Sequence, residues 1–435
     1  MILYSTKHAS PDVSLEEAVF RGLPPDNGLY MPYEIPTLPQ SFFDTIGDLS
    51  ISEIAFEVAK ALLGEDVPEN DLRGIIERSI NFDAPLVSIE PNKYVLELFH
   101  GPSMAFKDFG ARFMAALMSY FLQKSHQDIH ILVATSGDTG GAVAQGFYNT
   151  PGIKVTILYP TGKVSDIQEK QLTTLGGNVT ALEVDGTFDD CQSLVKQAFL
   201  DKELSSKYNL ASANSINISR LIPQSFYYFN AYAQLKKAGV DKPVVFCVPS
   251  GNFGNLSAGL IAQRMGLPVK MFVAATNINN IVPNYLASGV YEPRPSQETI
   301  SNAMDVGNPS NFIRMQLLAG DAYEEVVKHI AGDFSNDDDT RVTMKDVYDK
   351  TGYIMCPHTA VAYRGLSSYM AELGEDVTGV LLSTAHYAKF LDVVEGTLGT
   401  TVPVPERLSA LLSKEKVAIP MSTEFSDFKN YLLQL

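Results

Sequence analysis

The chain has 435 residues, 45% of them hydrophobic and 19% charged, and carries a net charge of −17. That length exceeds what one hydrophobic core usually serves, and so acidic a balance argues against nucleic acid or an anionic membrane as the main partner. An anionic ligand would need a local patch of N–H groups or cations set against the global field.

The first residues, Met1 to Lys7, lack the basic-then-apolar pattern of a signal peptide. No apolar run approaches the ~18 residues of a spanning helix, so the cytoplasm is the expected compartment. Cys191, Cys247 and Cys356 are odd in number and far apart. They match neither a disulfide framework nor a zinc site; buried reduced thiols and no metal are expected.

Residues 1–85 read as a helix-rich N-terminal extension, broken at Gly22-Leu23-Pro24-Pro25 and Pro36-Thr37-Leu38-Pro39. From Tyr94 the pattern changes. Strands are predicted at Tyr94–Leu98, Ile129–Ala134, Val155–Tyr159, Val179–Val184, Val244–Val248, Val269–Ala274 and Val380–Leu382. Between them lie helical stretches such as Phe109–Gln123, Val164–Leu175, Phe188–Leu200 and Phe226–Lys237. Strand and helix in alternation mean βαβ units and a mainly parallel sheet. There are too many strands for one simple sheet, so two α/β domains are expected, over 86–225 and 226–435. Open parallel sheets bind ligands at the carboxyl ends of their strands, so those tails are the places to look.

Three tails are unusual. After Val244–Val248 comes Pro249-Ser250-Gly251-Asn252-Phe253-Gly254-Asn255, and then a helical pattern. Glycines allow a sharp turn and a close approach, so that N–H groups converge on a phosphate without a basic side chain. The loop has no Lys-Ser/Thr and does not fit Gly-x-Gly-x-x-Gly, which disfavours a nucleoside triphosphate or a dinucleotide. After Ile131–Ala134 comes Thr135-Ser136-Gly137-Asp138-Thr139-Gly140-Gly141, suited to a carboxylate. Each loop taken singly is also consistent with an ordinary turn and helix cap. The third tail runs from His100 to Gly110 and holds Lys107 at a helix start, beside Met104, Phe106 and Phe109. Both the helix dipole and apolar neighbours disfavour an ammonium there and favour the free amine that imine formation needs.

At His100–Asp108 (HGPSMAFKD), Ala134–Gly140 (ATSGDTG), Ala213–Arg220 (ANSINISR), Pro249–Asn255 (PSGNFGN), Ser301–Asn311 (SNAMDVGNPSN) and Thr384–Phe390 (TAHYAKF), the chain resembles the threonine synthase family. The likeness is to its longer bacterial and fungal branch and runs the length of the chain, in order. It implies an α/β fold of the tryptophan synthase β-like kind, fold type II of the pyridoxal-phosphate enzymes. It implies pyridoxal 5'-phosphate held as a Schiff base on Lys107, its phosphate on Gly251, Asn252, Phe253, Gly254 and Asn255. Thr384 would face the pyridine nitrogen, and Asp138 stands where many relatives have an Asn beside the ring hydroxyl. Thr135, Ser136, Gly137 and Thr139 would take the substrate carboxylate. Asn214, Ser215 and Arg220 would take the phosphate of O-phospho-L-homoserine, with Ser103 and Lys163 as further contacts nearby. A guanidinium suits that phosphate through its bidentate donor face.

The implied activity converts O-phospho-L-homoserine and water into L-threonine and phosphate, by γ-elimination and β-addition, with no obligate protein partner. The alternative is another lyase of the same fold type, such as a serine or threonine dehydratase or an amino-phosphate phospho-lyase. Arg220 with Asn214 favours the phosphorylated substrate. His358 and His386 read as structural, Cys356 fits no protease pattern, and Arg112 and Lys389 are candidates for a local positive field.

Overall fold

A computed structural model of the chain describes residues 1–125, 128–135 and 137–435. Its strands in order are β1 (Ile2–Ser5), β2 (Val13–Ser14), β3 (Tyr30–Pro32), β4 (Leu86–Glu90), β5 (Lys93–Glu97), β6 (Ile129–Ala134), β7 (Ile153–Pro160), β8 (Val179–Val184), β9 (Leu210–Ser212), β10 (Val244–Pro249), β11 (Met271–Thr276), β12 (Ile330–Phe334), β13 (Thr378–Ser383) and β14 (Ile419–Met421). Every predicted run is a strand, with β6 and β8 matching residue for residue and the others displaced by one or two residues at their ends.

The larger sheet has six strands in the order β12-β11-β10-β13-β5-β4, and the smaller has five in the order β14-β8-β7-β6-β9. All neighbours are parallel except β4, which runs antiparallel to β5. Strands β10 and β13 are buried along their whole length. Helices cover both faces of a parallel sheet, which is why these strands read as unbroken apolar runs.

A chain division at residue 225 does not follow the sheets. Strands β4 and β5, from the 86–225 segment, complete the larger sheet, and β14, from the 226–435 segment, closes the smaller one beside β8. A strand sits where its ladder is completed, whatever its place in the chain.

The N-terminal segment carries a three-stranded antiparallel sheet, β2-β1-β3, as well as its helices. Helix Ile51–Leu63 starts with a capping box in which Ser50 and Glu53 bond reciprocally. Its apolar face (Ile54, Ala55, Val58, Ala59, Leu62) joins the same core as Phe113, Phe226 and Phe229. The extension is thus fused to the body of the protein rather than tethered to it.

The order β10-β13-β5 brings three tails side by side that are far apart in the chain: Ser250-Gly251 after β10, Thr384 after β13, and the loop to Lys107 after β5. The tail of β6 in the smaller sheet carries the carboxylate-shaped loop.

Candidate active site

The Lys107 loop is stitched to the tail of β13. Leu98 N donates to Ser383 O at 3.0 Å, Phe106 N to Thr384 O at 2.8 Å, and His386 N to Met104 O at 3.1 Å. Ala105 and Ala385 form an antiparallel bridge. Beneath the loop, the Asp108 carboxylate accepts from Ser103 N at 2.8 Å. Lys107 opens helix Lys107–Ser125 and is half-buried. Its amine is lowered to a pKa of about 8; burial is the main cause, the Asp138 carboxylate opposes it, and the Arg220 and Lys389 cations reinforce it. A substantial fraction of free amine near neutral pH is what imine chemistry needs.

Asp138 opens helix Asp138–Phe147 and is buried. Lys389 Nζ lies 2.7 Å from its Oδ1, the two side chains being 0% and 7% exposed. Gln168 Nε2 donates to the same oxygen at 3.0 Å. Burial pushes this carboxyl up, but Lys389, Lys107 and Gln168 outweigh it and hold the group below the usual carboxylate range. Lys389 also donates to Ser103 O at 3.0 Å, tying the pair to the Lys107 loop. The local positive field expected of Lys389 is therefore largely spent on Asp138.

The loop after β10 is shaped by close approach. A Cβ on Gly251 would lie 2.8 Å from Met304 Cα and 2.9 Å from Ala303 O. Phe253, at φ +60°, takes the left-handed turn into helix Gly254–Arg264. Asn252 joins two motifs: its Nδ2 donates to Ser215 Oγ at 2.7 Å, and its Oδ1 accepts from Ser310 N at 2.5 Å. Asn255 Oδ1 accepts from the hydroxyls of Tyr227 and Tyr228, both at 2.7 Å.

Arg220 is 2% exposed. Its Nη1 donates to Ala213 O at 2.5 Å, and its Nε has no partner among the described residues. No carboxylate pairs with it among the described residues. Burial lowers its pKa to about 10, partly offset by Asp108, so it stays charged. A buried guanidinium of this kind calls for an anion from outside the chain. Asn214 turns the segment locally, its Oδ1 accepting from Ile216 N at 2.9 Å. Arg314, which sequence reasoning passed over, is fully buried and holds three segments together. It donates to Ile216 O at 2.7 Å, to Asn311 Oδ1 at 3.0 Å and to Tyr30 O on β3 at 2.7 Å. With Asn217 Nδ2 donating to Val19 O, the N-terminal extension thus braces the segment that carries Arg220.

Not every predicted residue joins this cluster. Thr135 is buried and its Oγ1 accepts from Gly137 N at 3.0 Å and Gly140 N at 2.8 Å, so it shapes the loop from within. Gly137 has φ +140°, and a Cβ there would meet the Gln168 amide at 2.6 Å. Ser136 lies outside the described residues. Lys163 is exposed on the turn after β7 and away from the buried groups. Arg112 is turned away to the carbonyls of Ser79 and Arg78 and to Asn81. His386 lines a cavity of about 600 Å³ with Glu97, His100, Met104, Tyr353 and Arg407. His358, by contrast, is buried within electrostatic reach of Asp138, Lys107 and Lys389.

These residues fit pyridoxal phosphate. An amine of lowered pKa, a glycine turn pressed against Ala303–Met304, and a hydroxyl residue on the adjoining strand tail are of the kinds that would tether it, cradle its phosphate and adjoin its ring. Buried polar atoms without partners gather here too: Ser103 Oγ, Arg220 Nε, Asn255 Nδ2 and His358 Nδ1. Groups of this kind are available to a ligand.

The chain matches three family models: pyridoxal-phosphate dependent enzyme over residues 84–384, threonine synthase N terminus over 3–80, and threonine synthase C-terminal over 359–432. It is 44% identical to a threonine synthase of Haemophilus influenzae over 435 residues, with 100% of both chains covered. The crystal structure of threonine synthase from Escherichia coli superposes with a TM-score of 0.91 at 41% identity, covering 100% of both chains. A pyridoxal-phosphate-bound threonine synthase from Brucella melitensis gives a TM-score of 0.93 at 34% identity, covering 100% of this chain and 99% of that one. Likeness of this extent leaves one assignment: the chain belongs to the threonine synthase family of pyridoxal-phosphate-dependent enzymes.

Proposed function

We propose that the chain converts O-phospho-L-homoserine and water into L-threonine and phosphate, with Lys107 both holding the cofactor and moving protons along the substrate. When bound, pyridoxal phosphate supplies an electron sink for the negative charge that develops beside the substrate amine. The Lys107 amine, when free, would be a base of suitable strength, its pKa lowered to about 8 by burial and by the neighbouring cations. It takes the proton from Cα. Loss of a second proton from Cβ expels phosphate from Cγ; a proton is then returned at Cγ, water adds at Cβ, and a proton given back to Cα completes the product. One amine within reach of three adjacent carbons is the economical arrangement.

The other roles belong to the same reading. Gly251, Asn252, Phe253, Gly254 and Asn255 hold the cofactor phosphate at the start of helix Gly254–Arg264. Thr384 offers a hydroxyl to the pyridine nitrogen, and Asp138, kept anionic by Lys389, stands beside the ring hydroxyl. Gly137 and Thr139, with Ser136, receive the substrate carboxylate on a loop that Thr135 holds in shape. Arg220, Asn214 and Ser215 bind the leaving phosphate, with Ser103 at the edge. The bond from Asn252 to Ser215 supports neighbouring sites for the two phosphates. Lys163, exposed as it is, would contribute only if the β7 turn folds over the substrate. The three cysteines, all buried and unpaired, fit a reducing compartment, and we place the enzyme in the cytoplasm acting on small molecules alone.

One observation carries the substrate class: Arg220 is buried, charged and without a carboxylate partner among the described residues. The test is Arg220→Ala, assayed for phosphate release from O-phospho-L-homoserine and for ammonia release from serine and threonine. Loss of bonds to a charged group predicts a fall in kcat/KM of about tenfold to a hundredfold for the phosphorylated substrate. Ammonia release as the main activity of the unaltered enzyme would replace this reading with a dehydratase.

A further inference from the structure

His358 is the second residue of helix Pro357–Leu373 and is 2% exposed, its ring 4.9 Å from that of Phe390. One ring nitrogen is accounted for: the backbone N–H of Ala303 donates to Nε2 at 3.2 Å. A nitrogen that accepts a hydrogen bond carries no proton, so the neutral ring must hold its proton on Nδ1. The ring is neutral. Burial is the main cause that lowers its pKa to about 4; Asp138 opposes this, and Lys107 and Lys389 reinforce it. Nδ1 is then a buried N–H with no partner among the described residues. Buried donors are rarely left unmet in folded proteins, and the exceptions mark places where something else binds.

The surroundings say what. Lys107, Asp138 and Lys389 all act electrostatically on this ring, which puts it in the neighbourhood of the tethering lysine. Ala303, which fixes the ring through Nε2, also presses on Gly251 in the phosphate loop. The backbone bond therefore sets the tautomer and the ring plane at once, leaving Nδ1–H as the free end.

We propose that His358 is a fixed, neutral hydrogen-bond donor whose Nδ1–H serves an oxygen lone pair of the ligand filling the Lys107 cleft, and that it is not a base there. The oxygen belongs either to the cofactor or to the substrate. The inference rests on the reading of that cleft as the ligand site. It also separates His358 from the proton transfers, since a nitrogen that already bears a proton accepts none.

The test uses the full-length protein with ¹⁵N-labelled histidine. Nδ1 is expected to be protonated and Nε2 not, from about pH 6 to about pH 9. The Nδ1–H signal is expected to move when pyridoxal phosphate is added to apoenzyme if the acceptor is on the cofactor. It moves only when a substrate analogue is added to holoenzyme if the acceptor is on the substrate. Two variants separate ligand contact from scaffolding. In His358→Asn an amide nitrogen falls near Nδ1 and keeps the donor, whereas in His358→Gln the amide reaches Ala303 and the Nδ1 donor is lost. Gln is expected to lose about tenfold to a hundredfold in cofactor affinity or in kcat/KM, and Asn to stay within about threefold. An Nε2–H tautomer, an imidazolium near neutral pH, an Nδ1 signal unmoved by either ligand, or Asn as damaging as Gln would each overturn the proposal. A protein that never develops visible absorbance with pyridoxal phosphate would instead refute the reading of the cleft itself.

Discussion

Replacing Lys389 with methionine keeps an unbranched apolar stem and removes the one charge that, among the described residues, bonds Asp138 directly. Both side chains are essentially buried, with 2.7 Å between Nζ and Oδ1. Removing one partner of a buried pair costs about 3–5 kcal/mol, because the other charge is left without compensation. Here the cost falls near 3 kcal/mol, since Gln168 still donates to Asp138 and Lys107 still attracts it. Ser103 O keeps a second donor, Gln171 Nε2 at 2.9 Å, so the loop itself is not orphaned. The assay is urea denaturation of apoenzyme at neutral pH. The double change Lys389→Met with Asp138→Asn removes both charges, and it should recover most of the loss, to within about 1 kcal/mol of the parent. The pH dependence has a definite sign. In the parent, Asp138 is held below its ordinary range, so its contribution is complete above the unfolded value near 4 and is lost only in stronger acid. In Lys389→Met, burial dominates and raises that carboxyl, so the deficit should be least in strong acid, where Asp138 is protonated in both proteins, already be substantial near pH 4, and grow further as pH rises toward neutrality. A loss under about 0.5 kcal/mol, or a double variant weaker than the single one, would refute the reasoning.

Other consequences are more direct. Because burial lowers Lys107 to about 8, the rate at which apoenzyme takes up pyridoxal phosphate should rise with pH and level off above about 8; a rise continuing to pH 10 would mean an ordinary lysine. The same shift means that apoenzyme gains stability from this group as pH climbs from about 8 toward 10.5, the window in which only the unfolded chain still binds the proton. Gly251→Ala puts a methyl 2.8 Å from Met304 Cα and 2.9 Å from Ala303 O, both backbone atoms. It should weaken cofactor binding by at least about tenfold in a spectroscopic titration.

Much of the architecture was legible in the sequence because parallel strands buried on both faces are continuous apolar runs; β6 and β8 are read residue for residue. Strands with few residues were not. In β2 two residues, and in β3, β9 and β14 three, show no period, and pairing partners far along the chain decide them. The same holds for sheet membership, where β5 beside β13 and β14 beside β8 break a contiguous division of the chain. At the site, the glycine loops are visible because a backbone that turns sharply against Ala303 or Gln168 admits little else. Side chains that act through distant partners are not visible. Nothing local distinguishes Lys389, which bonds Asp138, from Arg112, which bonds the Ser79 carbonyl. Arg314 likewise carries no local signal of its bonds to Ile216, Asn311 and Tyr30.

The central claim is that Lys107 holds pyridoxal phosphate and drives a reaction that turns a phosphorylated amino acid into threonine. Its most direct test measures L-threonine and inorganic phosphate together, from O-phospho-L-homoserine, with the unaltered holoenzyme and with Lys107→Ala. Threonine and phosphate in equal amounts from the parent, and neither from the variant, is the predicted result. Phosphate without threonine, or threonine formed at an undiminished rate by Lys107→Ala, would contradict it.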